Sequence, residues 1–490
     1  QFGLRNTSCA SGLTLSKSIM MWTLQSQRPA VPFLAVVTSS AIFVAWQIMR
    51  RLRKQALPPE RMALPLIGET LNFVNNPSDF IAKGLGTFGG TFMSSILFAA
   101  TVLLKPTAAN LKFFLSQKDL GWPSHWLDVV GKKSLPMVND PLHKRMRIIS
   151  SRAFTPQQLD SYLETFHALT KKHLKTWATW PEARDTRDAI KVYTFELAQQ
   201  IILGLDMSDQ EVQHMMTLFD ATISGLACLF PVDLPGFHWR TVMRSRRELT
   251  AIYQKAIDEK RKQPPSKPSS MLDHVMNSNL DGEPPDDLEL QDFCVAMAFA
   301  GHDTTLATMQ TMLHHLDANP SVKYALRQEV DSVWDGSSPV TRALLQKLHK
   351  CRAFSLESIR LTPPVQTMSR ILAADALVDG YALKAGMTIM LSAASITDSS
   401  FGADSAECRV DRYLDGQGSF ADKTHDFEQC SGFGCGGRMC IGYKFALDEM
   451  AVFLLNLLHG YDFAVASRTQ CHFPFNFYRV TASFNARVHS

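Results

Sequence analysis

The stretch Phe433-Gly434-Cys435-Gly436-Gly437-Arg438-Met439-Cys440-Ile441-Gly442 sets a cysteine among glycines, with an arginine two positions before it. A thiolate in such a setting is suited to ligating haem iron, and thiolate ligation favours O–O cleavage over reversible oxygen carriage. A buried thiolate needs donors around it, because an uncompensated charge in an apolar site is costly. Gly436 and Gly442 permit backbone geometries closed to other residues, so amide N–H groups can approach the sulfur. From Gly442 onward, Phe445, Ala446, Met450, Phe453, Leu454, Leu457 and Leu458 recur at helical spacing. That spacing predicts Cys440 at a helix N-terminus, where the dipole and free N–H groups favour negative charge. Arg438 is placed to meet a haem propionate and Phe433 to shield the sulfur from water. A zinc reading of Cys430, Cys435 and Cys440 lacks a second ligand pair.

A second cluster, Ala300-Gly301-His302-Asp303-Thr304-Thr305, lies inside a helical run from about Leu288 to Leu316. Glycine in mid-helix is unfavourable by ~1 kcal/mol against alanine, but Gly301 lets a flat cofactor approach the backbone. The Thr304 hydroxyl is expected to bond back to the Ala300 carbonyl and bend the helix locally. Asp303 followed by Thr304 makes a proton relay for dioxygen cleavage; His302 has no catalytic role in this reading. Glu357 and Arg360, three apart, share a helix face. Taken alone, such a pair reads as a surface ion pair of little worth.

These segments resemble the cytochrome P-450 family. The cysteine stretch matches Phe-x-x-Gly-x-Arg-x-Cys-x-Gly at every fixed position, and the second cluster is similar to Ala/Gly-Gly-x-Asp/Glu-Thr-Thr. Phe354 to Leu361, followed by Pro363-Pro364, resembles the family's Glu-x-x-Arg helix. The resemblance covers almost the whole chain from residue 57 onward. It implies a mainly α fold with a small β region, haem b as cofactor and Cys440 as its axial iron ligand. It implies that Arg412 completes a buried network with Glu357 and Arg360, although Cys408, Val410 and Tyr413 depart from the usual Phe-x-Pro-x-Arg-Phe around it. His143 and Arg147, in a segment similar to Trp-x-x-x-Arg, and the strand residue Arg370 are implied as further propionate partners beside Arg438.

The activity implied is monooxygenation with O2, with Asp303 and Thr304 as the catalytic pair. Too few residues follow Cys440 to hold a fused flavin domain, so electrons are expected from a separate NADPH-dependent flavoprotein reductase docking near Cys440. The loop Phe230 to His238, followed by Arg244-Ser245-Arg246-Arg247, and the segment Ile67 to Leu71 are similar to a branch holding brassinosteroid, triterpene, taxane and retinoic-acid oxidases. The implied substrate is an apolar isoprenoid: a sterol, triterpenoid, diterpenoid or retinoid-like compound. Regions 121–140 and 205–240 are expected to line its pocket. Two other readings stay open. One is a haem-thiolate isomerase or dehydratase of lipid hydroperoxides, against which the Asp303-Thr304 pair argues; the other is a non-catalytic haem sensor.

The chain has 490 residues, of which 46% are hydrophobic, enough to bury a large core. A net charge of +4, with no basic block, gives no sign of a nucleic-acid partner. Nine scattered cysteines argue against a disulfide framework and for a reducing compartment. Val31 to Met49 carries no charge and approaches the ~20 residues that cross a bilayer. Arg50, Arg51, Arg53 and Lys54 follow, which predicts a membrane anchor with everything beyond on the cytosolic side. The expected organisation is a tail over 1–30, a transmembrane anchor over 31–49, a basic and proline-rich hinge over 50–68, and a catalytic body over 69–490. The acid-free tail resembles an organelle transit peptide, while Met20 or Met21 could be the initiator. The expected location is the endoplasmic reticulum membrane, with a plastid or other organelle membrane as the alternative.

Overall fold

Asp286, with Glu289 three positions on, opens the helix around which the chain is built. The Asp286 carboxylate accepts the Glu289 N–H and the Glu289 carboxylate accepts the Asp286 N–H, so two otherwise orphaned donors are met. In the computed structural model, which describes residues 57–487 apart from 61–67, 97–98, 229, 281, 427, 429–430 and 473–474, this helix runs over Asp287–Ala318. It is buried on most of its circumference because neighbours cover it on several sides. The helix Thr186–Leu203 lies along one side, and His349–Leu361 and Tyr443–Gly460 lie along others. Tyr193, Phe195, Phe293, Phe354 and Phe453 fill the space between them. Further long amphipathic helices run over Pro156–Trp177, Thr186–Leu203 and His238–Lys262.

The strands gather at the periphery. β1 (Phe92–Ile96), β2 (Ala99–Leu103), β7 (Thr388–Ser392) and β4 (Thr367–Ile371) form a sheet in that order, with β2 parallel to β7 and the other pairs antiparallel. β5 (Ala376–Val378) and β6 (Tyr381–Leu383) form a hairpin closed by Asp379-Gly380. Both turn residues have positive φ, which matches a turn to the strand twist. The small β region implied by the resemblance is therefore built from β4 to β7 together with the earlier strands β1 and β2. A further sheet, β3 (Arg184–Asp185), β9 (Phe477–Ala486) and β8 (Tyr461–Cys471), was not legible in the sequence. β8 has little buried surface and so no clear alternation to read.

Gln310, fully buried on the long helix, fastens this sheet to the core. Its Nε2 donates to Thr186 Oγ1 at 2.8 Å, its Oε1 accepts the Val480 N–H at 2.9 Å, and Thr186 Oγ1 donates to the Val480 carbonyl at 2.8 Å. Three elements thus satisfy one another's buried polar groups.

The body reaches further toward the N-terminus than residue 69. The Met93 N–H donates to the Pro59 carbonyl at 2.9 Å and Glu60 bridges to Met93, so 57–60 already lie on the sheet. Gly68 sits at φ +61°, and a Cβ there would fall 2.2 Å from the Ser95 carbonyl oxygen. The expected tail, the anchor over 31–49 and most of the hinge lie outside the described residues. Among the described residues, no helix is long and apolar enough to cross a membrane.

Candidate active site

Cys440 stands three residues before the helix Tyr443–Gly460 rather than in its first turn. Its own N–H donates to the Phe433 carbonyl at 2.8 Å, which closes the loop on itself. The Gly442 N–H donates to the sulfur, as the glycine spacing predicts. Gly442 does so from an ordinary φ of −92°, so its expected special backbone geometry is absent. Gly434 and Gly436, at φ +68° and +64°, turn the loop instead. The Phe433 ring packs against Tyr443 with centroids 6.2 Å apart. Burial pushes the Cys440 thiol above its ordinary range and outweighs both the Gly442 N–H and the nearby Arg147 charge. The side chain is nonetheless accessible; both facts hold for a group deep in the protein that faces an internal hollow.

The cations expected near the cofactor form one electrostatic cluster. Arg438 donates to the Lys118 carbonyl at 3.2 Å, the Val138 carbonyl at 2.8 Å and Asn139 Oδ1 at 2.9 Å. Arg147 Nη1 donates to the Met439 carbonyl at 2.9 Å, so it also braces the cysteine loop. His143 lies 3.4 Å from Asp140, and burial together with Arg438 lowers its pKa. Arg370, on β4, is buried and its Nε has no hydrogen-bond partner among the described residues, and burial with the Arg438 charge lowers its pKa to about 10. Cations that depress one another in a buried place fit an anionic group set among them. The two propionates of haem b answer that description. A flat ring also has room: a Cβ added at Gly301, Gly436 or Gly437 would meet no heavy atom within 4 Å, although His302 beside Gly301 is fully buried.

On the long helix, Thr304 Oγ1 donates to the Ala300 carbonyl at 2.5 Å, the expected back-bond. Asp303 points away from Thr304 toward the neighbouring helices Thr186–Leu203 and Asp209–Ile223. Burial pushes its carboxyl up to about 7, helped by Asp220 and opposed by Lys191 and Arg187. Lys191 and Asp220 form an ion pair with each other. The sequence reading missed these three charged partners, which come from distant segments. It also missed Glu449, whose carboxyl is fully buried, hydrogen-bonds Thr305 and is pushed well above the ordinary range by burial. Glu449 joins the long helix to the helix after Cys440. A carboxylate inside the apolar run Phe445 to Leu458 was the signal available.

Glu357 and Arg360 are not a surface pair: both side chains are 0% exposed. Arg360 Nε and Nη2 donate to the two Glu357 oxygens at 2.7 and 2.8 Å, a bidentate pairing. Its remaining donors reach the Ser405 carbonyl at 2.6 Å and the Glu407 carbonyl at 2.9 Å. Arg412 Nε lies 3.5 Å from Glu357 Oε1, and the Arg409 N–H donates to the same oxygen at 2.7 Å. The divergent segment still closes the network, with Tyr413 fully buried in place of phenylalanine.

The two expected pocket-lining regions touch through Trp126 Nε1, which donates to the Leu226 carbonyl at 3.0 Å, and through the rings of His125 and Trp239. Among the described residues, no group of His, Cys, Asp and Glu side chains is arranged to hold a separate metal ion, and Cys430 lies outside them.

Comparison with known proteins agrees with this geometry. The sequence model of the cytochrome P-450 family matches residues 58–482. The chain is 27% identical to cytochrome P-450 85A1 of Brachypodium distachyon over 86% of this chain and 90% of that protein. It is 26% identical to cytochrome P-450 26B1 of Xenopus tropicalis over 91% of this chain and 89% of that protein. Its fold superposes on retinoic acid-bound cyanobacterial CYP120A1 with a TM-score of 0.79 at 23% identity, covering 89% of this chain and all of that one. With a family model spanning most of the chain and the cysteine loop set beside the cationic cluster, the chain belongs to the cytochrome P-450 family and is a haem-carrying monooxygenase.

Proposed function

We propose that this protein is anchored in a membrane, that of the endoplasmic reticulum, and oxidises an apolar isoprenoid with O2 and electrons from a separate NADPH-dependent flavoprotein reductase. The charge-free segment before the basic run, the similarity of the Phe230–His238 loop to isoprenoid oxidases, and retinoic acid in a protein of the same fold support this reading. Thiolate-ligated haem supplies O–O cleavage and insertion of one oxygen atom into a C–H bond. The Cys440 sulfur is the ligand, held by the Gly442 N–H. Arg370, Arg438, Arg147 and His143 fix the carboxylate edge of the cofactor. Asp303, held up at about 7, takes up and releases a proton near neutral pH, and Thr304 orients the side of the helix that faces the reaction. The observation that carries monooxygenation over isomerisation is this protonatable Asp303 beside the back-bonded Thr304, since rearranging a hydroperoxide needs no external proton supply.

The test is NADPH consumption and product analysis with a reductase present, across sterols, triterpenoids, diterpenoids and retinoids. Substrate-stimulated consumption with a hydroxylated product is expected. Conversion of a lipid hydroperoxide without NADPH, and no stimulated consumption, would overturn the reading. Replacing Cys440 with Ser is expected to abolish the red-shifted Soret band of the reduced carbon-monoxide complex.

A further inference from the structure

His302 occupies a position that the sequence motif leaves variable, yet its surroundings are tightly specified. The side chain is 0% exposed. Its ring is held edge-on between Phe195 and Phe219, with centroids 5.3 and 5.6 Å away. Nδ1 lies 2.8 Å from Thr194 Oγ1, and that oxygen is also 3.0 Å from the Ile190 carbonyl and 3.4 Å from the Lys191 carbonyl. A hydroxyl has one proton, and a carbonyl can only accept it. With the Thr194 proton directed at the backbone of its own helix, the usual back-bond of a helical threonine, the lone pair on Oγ1 accepts from His302 Nδ1–H. A neutral imidazole protonated at Nδ1 has a bare acceptor at Nε2.

That Nε2 is buried without a hydrogen-bond partner among the described residues. Its nearest charged neighbour is Asp303 Oδ1 at 3.6 Å. Of the other charged groups facing the pair, Lys191 is engaged by Asp220 and Arg187 by Asp188. Both of those cations sit on the helix that also carries Thr194, and Asp220 sits on the next helix. The carboxyl of Asp303 is then the group able to supply a proton to the bare nitrogen, after a small rotation of its side chain.

We propose that His302 is a positioning residue for Asp303: Thr194 locks the imidazole in the Nδ1–H form, and Nε2 accepts the O–H of the neutral Asp303 carboxyl. The proton is thereby held on the acid, on the side that faces His302, as a reserve for the relay with Thr304. The acidities agree with that direction, since burial holds Asp303 up at about 7 and His302 down at about 3, so the proton stays on the carboxyl. The inference rests on Asp303 serving the proposed oxidation but concerns a hydrogen bond that exists whether or not substrate turns over.

The test is an infrared pH titration of the haem-loaded protein, with the Asp303 carboxyl band assigned by its loss in Asp303→Asn. The wild-type band is expected to disappear with a midpoint near pH 7. His302→Phe keeps the ring packing and removes the acceptor. Thr194→Val frees the other tautomer, whose Nε2–H would favour the carboxylate. Either change is expected to lower the midpoint by about one pH unit or more, a tenfold change in proton affinity, while Thr194→Ser keeps the wild-type value. A midpoint unmoved in Thr194→Val overturns the proposal, and that variant decides the matter should His302→Phe fail to fold. Failure of the wild-type protein to oxidise any isoprenoid would count against the proposed function and leave the infrared result standing.

Discussion

Two sets of buried charge lie within this protein, and they are built on opposite principles. In the network around Glu357, a carboxylate meets two arginines and a backbone N–H, and the arginine donors left over find carbonyls. In the cluster around Cys440, cations crowd one another: burial and the Arg438 charge lower Arg370, and burial and Arg147 lower Arg438 against the opposing pull of Asp140 and Asp119. Asp303, across the site, is likewise left with burial as its largest influence. A set balanced by pairing opposite signs, as Glu357 is with Arg360 and Arg412, holds a loop in place, whereas a set without such pairing is arranged for something it binds or moves.

Breaking the balanced set should have the largest effect. Glu357→Ala leaves Arg360 buried without its counter-charge and is expected to cost about 3–5 kcal/mol of stability. Loss of haem-loaded protein, and a lowered urea midpoint in whatever folds, would register it. Replacing both partners by apolar residues, Glu357→Leu with Arg360→Met, should cost less than the single change, because one buried cation, Arg412, is left without its counter-charge instead of two.

The unbalanced acid comes next. Asp303→Asn is expected to lower product formation by roughly 10²–10⁴-fold, the range for a lost general acid, while NADPH consumption continues without product. A smaller effect is expected for the cations. Arg370→Met should speed haem loss to an acceptor protein by about tenfold, in line with ~1.5–3 kcal/mol for a charge-assisted hydrogen bond. It should leave the haem-free protein as stable as before or more so, since it removes a self-repelling charge. The same substitution strategy thus gives opposite outcomes for the two sets in the absence of haem.

The smallest effect is a slope. The folded-state pKa of Asp303, about 7, lies above its ordinary carboxylate value. Its contribution to stability is therefore full below the ordinary carboxylate range and is lost as pH rises through about 7. Asp303→Asn should flatten the stability profile over that window, measurable by denaturant unfolding at a series of pH values.

The difference between the two sets also explains what the sequence could tell. Cys440, Glu357 with Arg360, and Asp303 with Thr304 sit in short motifs in which neighbours in sequence act together, so their types and spacing carry the chemistry. Long helices were legible from their periodicity for the same reason. The partners from distant segments were not: Lys191 and Asp220 beside Asp303, Thr194 behind His302, and Glu449 against Thr305 are brought together only by packing. Arg147 was expected at a propionate and also ties the Met439 carbonyl, a contact that spans 292 positions and leaves no trace in local pattern. The C-terminal hairpin escaped because its first strand is largely exposed and does not alternate.

The Gln310 fastening has a consequence for how the chain is made. Gln310 stands at the centre of the molecule, but one of its partners, Val480, is 170 positions further along the chain. A nascent chain that has already emitted the long helix still carries an unpaired amide at its heart until the last strand leaves the ribosome. Cys440, the proposed iron ligand, also emerges late. The molecule is therefore unable to close its centre or seal in its cofactor by stages. Truncation by even a short C-terminal stretch should leave a protein arrested short of completion, and one exposed to proteolytic quality control throughout its synthesis.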